Sequence, residues 1–262
     1  MQKESIKFQN SLVFEGMTSI RAIIKGIDTG VNDRVINEIL FDSQRLPKIS
    51  KEIGFLKAVS EKYGFSLRGT DAAEIDSLSL GSSHGGILAL CAERTIQGLS
   101  ALPSLPVRGF YAMIQGIEDP YNFGYAIRSL YACGCDGIIL GERNWMSAAG
   151  VVCRSSAGAS EMLPVYKGDE ALAVDCFKAA GYNIVCADVR TENILGKCEI
   201  KTPLLLIVGG EKRGISKAIL DKADLLVKIP YGREFKSSLS AASAATMFSY
   251  EIMRQNDIMK KV

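Results

Sequence analysis

Three polar, glycine-rich stretches hold the residues of this chain best suited to chemistry: DPYNFGYAIRS (119–129), GGEKRGIS (209–216) and IPYGREFKSSLS (229–240). The first pairs Asn122 with Arg128 across a helix start. A guanidinium placed there can grip a phosphate through two parallel hydrogen bonds, and it stays charged at any physiological pH. The second places Glu211 between Gly209 and Gly214, where glycines let a ligand approach the backbone closely. The third follows Ile229 and Pro230 with Ser238 and Leu239, at the start of the small-residue run SSLSAASAAT. A hydroxyl and the free N–H groups of a helix start would face a ligand there. Each stretch taken alone also has an ordinary use. Asn122 could cap a helix with Arg128 solvated, Ser216 could cap a helix after a glycine turn, and the small residues could let two helices pack closely.

Other chemistries are excluded by what these stretches lack. GGEKRGIS has the glycine spacing of a triphosphate-binding loop, but Ile215 stands where that loop needs its lysine. No GxGxxG dinucleotide fingerprint and no GxSxG nucleophile elbow occur, and His84 is the only histidine. Hydride transfer and Ser-His-Asp hydrolysis are therefore disfavoured. The seven cysteines form no CxxC pair and lie mostly in apolar stretches such as NIVCADV and LYACGC. They read as small buried hydrophobes in a reducing cytoplasm, and a single histidine argues against a zinc site.

The chemistry-bearing stretches must be positioned by regular elements. Near-continuous apolar runs at FYAMIQ (110–115), GIILG (137–141), NIVCADV (183–189), PLLLIVGG (203–210) and LLVKIP (225–230) read as strands. Helical spacing appears between them at 122–133, 144–159, 169–180 and 216–223, with a last helix at 238–256. This alternation predicts a parallel sheet covered on both faces, with its ligand at the carboxyl ends of the strands. Residues 1–97 hold helical patterns at SIRAIIKG and ISKEIGFLKAVSEKYG and strand-like runs at VINEILF and GILALCA, and so read as a smaller α/β domain. Pro103 and Pro106 punctuate 98–108, read as a linker to a second domain at 109–262.

The chain of 262 residues is long enough for one large or two modest domains, with 47% hydrophobic and 23% charged residues. The 31 basic and 29 acidic side chains give a net charge of +2, so any basic surface must be local. No run of about 18 apolar residues is present to cross a membrane, and the N-terminus MQKESIKFQN is too polar for a secretory signal. A cytoplasmic protein without a membrane partner is expected.

Together, the order and spacing of the three stretches resemble the signature motifs of the SpoU (TrmH) class of SPOUT RNA methyltransferases. Asp119-Pro120-Tyr121-Asn122 with Arg128 matches the first motif, and Gly209, Glu211 and Gly214 match the second. Ile229, Pro230, Ser238 and Leu239 match the third, while SSAGASEMLPV (155–165) resembles a further SAGA-x-E stretch of the family. Ser240 stands where that family usually has asparagine, and Tyr231 where it usually has methionine. LGSSHGGILA (80–89) resembles a strand end of the ribosomal-protein-like substrate-binding domain that often precedes the catalytic one, with Gly85 replacing the glutamine of its HQG text.

The resemblance implies methyl transfer from S-adenosylmethionine to a ribose 2′-hydroxyl of structured RNA, ribosomal rather than transfer RNA, without a metal. It implies a deep trefoil knot in an α/β parallel-sheet domain, a small α/β RNA-binding domain in front, and a homodimer in which the last helix pairs with the helix carrying Arg128. Asn122, Arg128, Glu211 and Ser238 would be catalytic. Gly209, Gly214, Ile229, Pro230, Ser238 and Leu239 would hold the cofactor. The alternatives are a non-catalytic RNA-binding protein of the same fold, or a transfer-RNA or base methyltransferase of the same superfamily.

Overall fold

The computed structural model describes residues 12–81, 84–102, 105–117, 119–141, 146–210 and 213–258. In chain order its strands are β1 (Val13–Glu15), β2 (Ile36–Asp42), β3 (Ser66–Thr70), β4 (Ile87–Cys91), β5 (Gln97–Gly98), β6 (Phe110–Gln115), β7 (Gly137–Leu140), β8 (Val165–Lys167), β9 (Asn183–Ala187), β10 (Leu204–Gly209) and β11 (Leu225–Val227). The helices are α1 (Gly16–Asp28), α2 (Ser50–Tyr63), α3 (Ala72–Leu78), α4 (Pro120–Ala132), α5 (Ala149–Ser155), α6 (Ala159–Met162), α7 (Glu170–Ala179), α8 (Lys217–Leu220) and α9 (Ala241–Gln255). They form two compact units, Met1–Thr95 with Trp145–Met162, and Ile96–Asn144 with Leu163–Val262.

The first unit is built on a four-stranded sheet of order β1-β4-β2-β3, antiparallel except for the β2–β3 pair. Helix α1 turns Ile20, Ile23 and Ile24 inward at helical spacing, and α2 does the same with Ile53 and Leu56. Residues 146–162 pack here as well. The helix expected at 144–159 is instead two short helices, because the chain turns left-handed at Ala157 (φ 51°) and Gly158 (φ 87°). Glu161, fully buried, explains the turn: its carboxylate meets the Arg34 guanidinium at 2.9 and 3.2 Å. Its carbonyl oxygen accepts the Asn32 side-chain amide at 2.7 Å. A buried carboxylate must be paired in this way or raise the cost of folding by several kcal/mol, on the order of 3–5.

The second unit carries a seven-stranded sheet of order β11-β9-β10-β6-β7-β8-β5, parallel at every pairing. Its strands are apolar along their length because helices cover both faces; all six residues of β6 are buried. One face is packed by the mutually tilted rings of Tyr111, Phe177 and Tyr182, 5.2–6.0 Å apart. Strands β6, β7 and β8 progress one way across the sheet and β9 to β11 lie on the other side, so the order reverses between β10 and β6. That is where open α/β sheets leave a crevice at their carboxyl ends.

Two helices beside this crevice have well-formed starts. Asp119 caps α4, accepting the Asn122 N–H at 2.8 Å, with Pro120 in the first turn. Ser240 caps α9 by accepting the Ser243 N–H at 3.2 Å. The helix expected from 238 thus begins at Ala241, and the capping use that Asn122 could have had belongs to Asp119. Helix α9 packs along α4 and buries Ala241, Ala245, Phe248 and Ile252. Among the described residues no helix is long and apolar enough to cross a membrane.

Candidate functional site

Strand β10 ends at Gly209, and the chain then closes a tight bridge between Gly210 and Gly214, whose N–H donates to the Gly210 carbonyl at 3.0 Å. Glycine is required here by contact. A Cβ on Gly209 would lie 2.5 Å from the Gly214 carbonyl carbon, and one on Gly210 would strike the Gly116 carbonyl oxygen. Gly214 also has φ +62°. The buried side chain of Gln115, at the end of β6, pins this loop. Its carbonyl oxygen accepts the Ser216 N–H at 3.1 Å, and its amide donates to the Glu170 carboxylate.

The irregular segment between β11 and α9 forms the facing wall. The Tyr231 hydroxyl accepts the Leu239 N–H at 3.2 Å and folds the segment back on itself. Between these two walls and the end of β9 lies a cavity of about 850 Å³. Val208, Ile215, Leu226, Ile229 and Leu239 give it apolar sides, and Asp188, Arg190, Arg213, Lys217 and Ser238 give it polar ones. The Arg190 guanidinium meets Asp188 at 2.7 and 2.9 Å and holds that carboxyl below its ordinary pKa. An apolar cleft of this size with a few convergent polar groups suits a nucleoside-sized ligand.

The structure brings together Gly209, Gly214, Ile229, Ser238 and Leu239, all of which line the cavity. Pro230 follows Ile229 and is exposed outside the lining. Glu211 lies outside the described residues. Asn122 is half-buried in the first turn of α4 and Arg128 is exposed further along it; neither lines the cavity of its own chain. Asp188 and Arg190 are cavity residues not singled out from sequence. Asp188 directly follows the NIVCA strand, and the strand-end rule that located the other stretches applies equally to it.

A parallel α/β sheet with such a cavity at its switch point defines a domain that binds a nucleotide-like ligand. Residues 109–250 match the SpoU rRNA Methylase family, more than half of the chain, and the protein belongs to that family: it is an RNA methyltransferase of the SpoU type. A TrmH family tRNA/rRNA methyltransferase of Staphylococcus haemolyticus is 28% identical over 197 residues, 70% of this chain and 75% of that protein. One of Staphylococcus aureus is 31% identical over 144 residues, covering 55% and 58%. Among solved structures, an RNA 2′-O ribose methyltransferase superposes with a TM-score of 0.76 at 23% identity, covering 94% of this chain and 89% of that one. The SpoU methyltransferase AviRb of Streptomyces viridochromogenes, solved with AdoMet, gives 0.75 at 22% identity, covering 95% and 96%. The fold is that of the SPOUT methyltransferases.

Proposed function

We propose that the protein transfers a methyl group from S-adenosylmethionine to a ribose 2′-hydroxyl of structured RNA, with ribosomal RNA as the substrate. The carrying observation is the convergence of Gly209, Gly214, Ile229, Ser238 and Leu239 on one cavity at the sheet's switch point, within a chain of the SpoU family. The cavity fits this cofactor. Its volume suits a nucleoside with a short chain, its walls combine apolar side chains with a few polar ones, and the backbone of Gly209 and Gly210 is packed where any Cβ would intrude. Bound there, S-adenosylmethionine supplies a methyl group already activated on a sulfonium.

The chain's residues must then orient and exclude. Gly209, Gly214, Ile229, Pro230 and Leu239 hold the cofactor, chiefly through backbone groups. Ser238, exposed at the cavity edge, orients the target nucleotide. Arg128 anchors a phosphate beside the target ribose and offsets the charge that develops as the hydroxyl attacks, a role that suits the planar fork of a guanidinium. Asn122 and Glu211 fix Arg128 and the RNA.

Because Arg128 does not line its own chain's cavity, the reading includes a homodimer in which α4 of one subunit serves the cavity of the other. It also includes knotted threading of residues 109–262, RNA binding by residues 1–97, and a cytoplasmic setting. Incubation with S-adenosylmethionine labelled in its methyl group and with ribosomal RNA, followed by nuclease digestion and mass spectrometry, should give 2′-O-methylated nucleosides. Labelled bases, or no label in any RNA, would refute it.

A further inference from the structure

The segment between β11 and α9 carries two aromatic rings that no core uses. Tyr231 and Phe235 are 38% and 54% exposed. Their rings meet edge to face, with centroids 5.8 Å apart and planes at 64°. The Tyr231 hydroxyl is tied to the Leu239 N–H and its ring sits at the cavity. Phe235 stands outside the lining, against a ring tethered by that hydrogen bond. Side chains of this size normally bury most of their surface. Two left together in water indicate a surface built to be covered.

The neighbouring charges indicate by what. Arg233 and Lys236 flank Phe235, with Glu234 between as the one acid, and all three are exposed. Arg213 lines the adjoining cavity, whose basic residues Arg190, Arg213, Lys217 and Lys228 outnumber Asp188 and Asp221. Among the described residues, Arg213, Arg233 and Lys236 have no ion-pair partner. A fixed ring flanked by unpaired cations matches single-stranded nucleic acid, whose bases stack on aromatic faces while its phosphates meet the cations. An apolar protein surface would leave the cations unused.

We propose that Phe235, steadied by Tyr231, is a stacking platform for an unpaired base of the RNA substrate, with Arg213, Arg233 and Lys236 receiving adjacent phosphates. The proposal rests on the RNA-methylation reading above and adds to it that the nucleotides beside the target lie in a loop, bulge or strand end. A base stacked within a duplex could not reach the ring.

The test uses the full-length protein and a short single-stranded oligoribonucleotide containing 2-aminopurine, with the corresponding duplex as control. Wild type should bind the single strand in preference and quench its fluorescence. Phe235→Ala should weaken that binding about 5- to 150-fold, the range for losing one stacked base, and remove the quenching, whereas Phe235→Tyr should keep both. The Arg233→Ala/Lys236→Ala double variant should lower the slope of log affinity against log salt by about 1.4. Affinity for S-adenosylmethionine should stay within twofold, and the mass by light scattering should not change. Unchanged RNA affinity in Phe235→Ala, a loss confined to S-adenosylmethionine binding, or a change in oligomeric state would each overturn the platform, the last by assigning the rings to a contact between copies. If wild type methylates ribosomal RNA and Phe235→Ala does so equally well, the platform alone fails. If wild type neither methylates nor binds RNA, both readings fail.

Discussion

The hydroxyls of Ser129 and Thr246 lie 2.6 Å apart, one on α4 and the other on α9. Each also reaches a carbonyl of its own helix, Ser129 that of Tyr125 at 3.2 Å and Thr246 that of Ala242 at 2.8 Å, so that one hydroxyl donates to its own helix while the other donates across to it. The two helices are thereby locked in register. Arg128, the residue before Ser129, is held at a fixed place relative to the Ser238–Ser240 segment that leads into α9.

Arg128→Ala should slow methyl transfer steeply and change little else. The side chain is exposed, and among the described residues it bonds to no other side chain. Its loss therefore leaves the helix crossing intact. Removing one preorganised charge partner of a transition state costs about 100- to 1,000-fold in turnover. Single-turnover kinetics on the RNA substrate should show that drop, with S-adenosylmethionine affinity and melting temperature unchanged. Near-normal turnover would exclude Arg128 from the site.

Gly210→Ala should damage the cavity without unfolding the sheet. The added methyl would run into the Gly116 carbonyl oxygen, so the ends of β6 and β10 must separate. Overpacking of this kind costs about 1–3 kcal/mol, and the displaced loop is the one that holds Gly209 and Gly214. Calorimetry should register at least a tenfold loss of S-adenosylmethionine affinity, while circular dichroism keeps the native spectrum. Full affinity would mean the loop does not contact the cofactor.

How much of this was legible in the sequence follows from the range of each signal. FYAMIQ and LLLIVG announce buried parallel strands because every residue in them but Gln115 is apolar, and the structure places both at the centre of the sheet. The glycine and serine stretches announced the cavity because strand ends are where small residues are needed. The break at Ala157–Gly158 was not legible. It is imposed by Arg34, 127 positions from Glu161 in sequence, and residues 144–159 alone have unbroken helical spacing. Strands β5 and β8, of two and three residues, are too short to show a period. Tyr231 stood out only as a departure from a motif, and nothing local in the sequence gives its hydroxyl the Leu239 N–H.

Arg34→Met should destabilise the first unit by about 3–5 kcal/mol, since it leaves the Glu161 carboxylate buried and unpaired. The two side chains are 1% and 0% exposed. The double variant Arg34→Met/Glu161→Met should recover most of that loss, because apolar replacement of a whole buried pair is often neutral. Urea melts of wild type, single and double variants decide this. A double variant no more stable than the single would mean that the Asn32 and Arg94 contacts to residues 160–161, not the ion pair, hold the segment.

The cysteines should divide by burial when treated with a thiol reagent at neutral pH. Desolvation pushes the Cys91 and Cys186 thiols up to about 12 and raises those of Cys135 and Cys153 as well. A thiol without access or thiolate character does not react. Cys176 is exposed, and Cys133 and Cys198 are half-buried. Titration should therefore give one fast and at most two slow equivalents in the folded protein, and seven after denaturation. Four or more fast equivalents would contradict the packing of at least one core.

Assembly provides the last prediction. Helix α4 leaves Tyr121 and Tyr125 44% and 49% exposed, and α9 leaves Met247 and Tyr250 41% and 57% exposed. These four residues lie at one-turn spacing on two helices that pack side by side, so the outer faces of α4 and α9 present large apolar side chains to water. Phe248 and Ile252 on α9 are fully buried, so the side of that helix serving its own sheet is already satisfied. Tyr121, Tyr125 and Arg128 share one face of α4, at spacings of four and three residues. A second copy covering the tyrosines would therefore carry Arg128 into the interface with them, consistent with a cavity completed across two chains. Light scattering should give a mass near twice 28.4 kDa at micromolar concentration. Tyr125→Glu/Tyr250→Glu, which buries two charges in that interface, should give a folded monomer that lacks methyl transfer yet still binds S-adenosylmethionine. An active monomer, from either the wild type or the variant, would remove the homodimer and the two-chain site together.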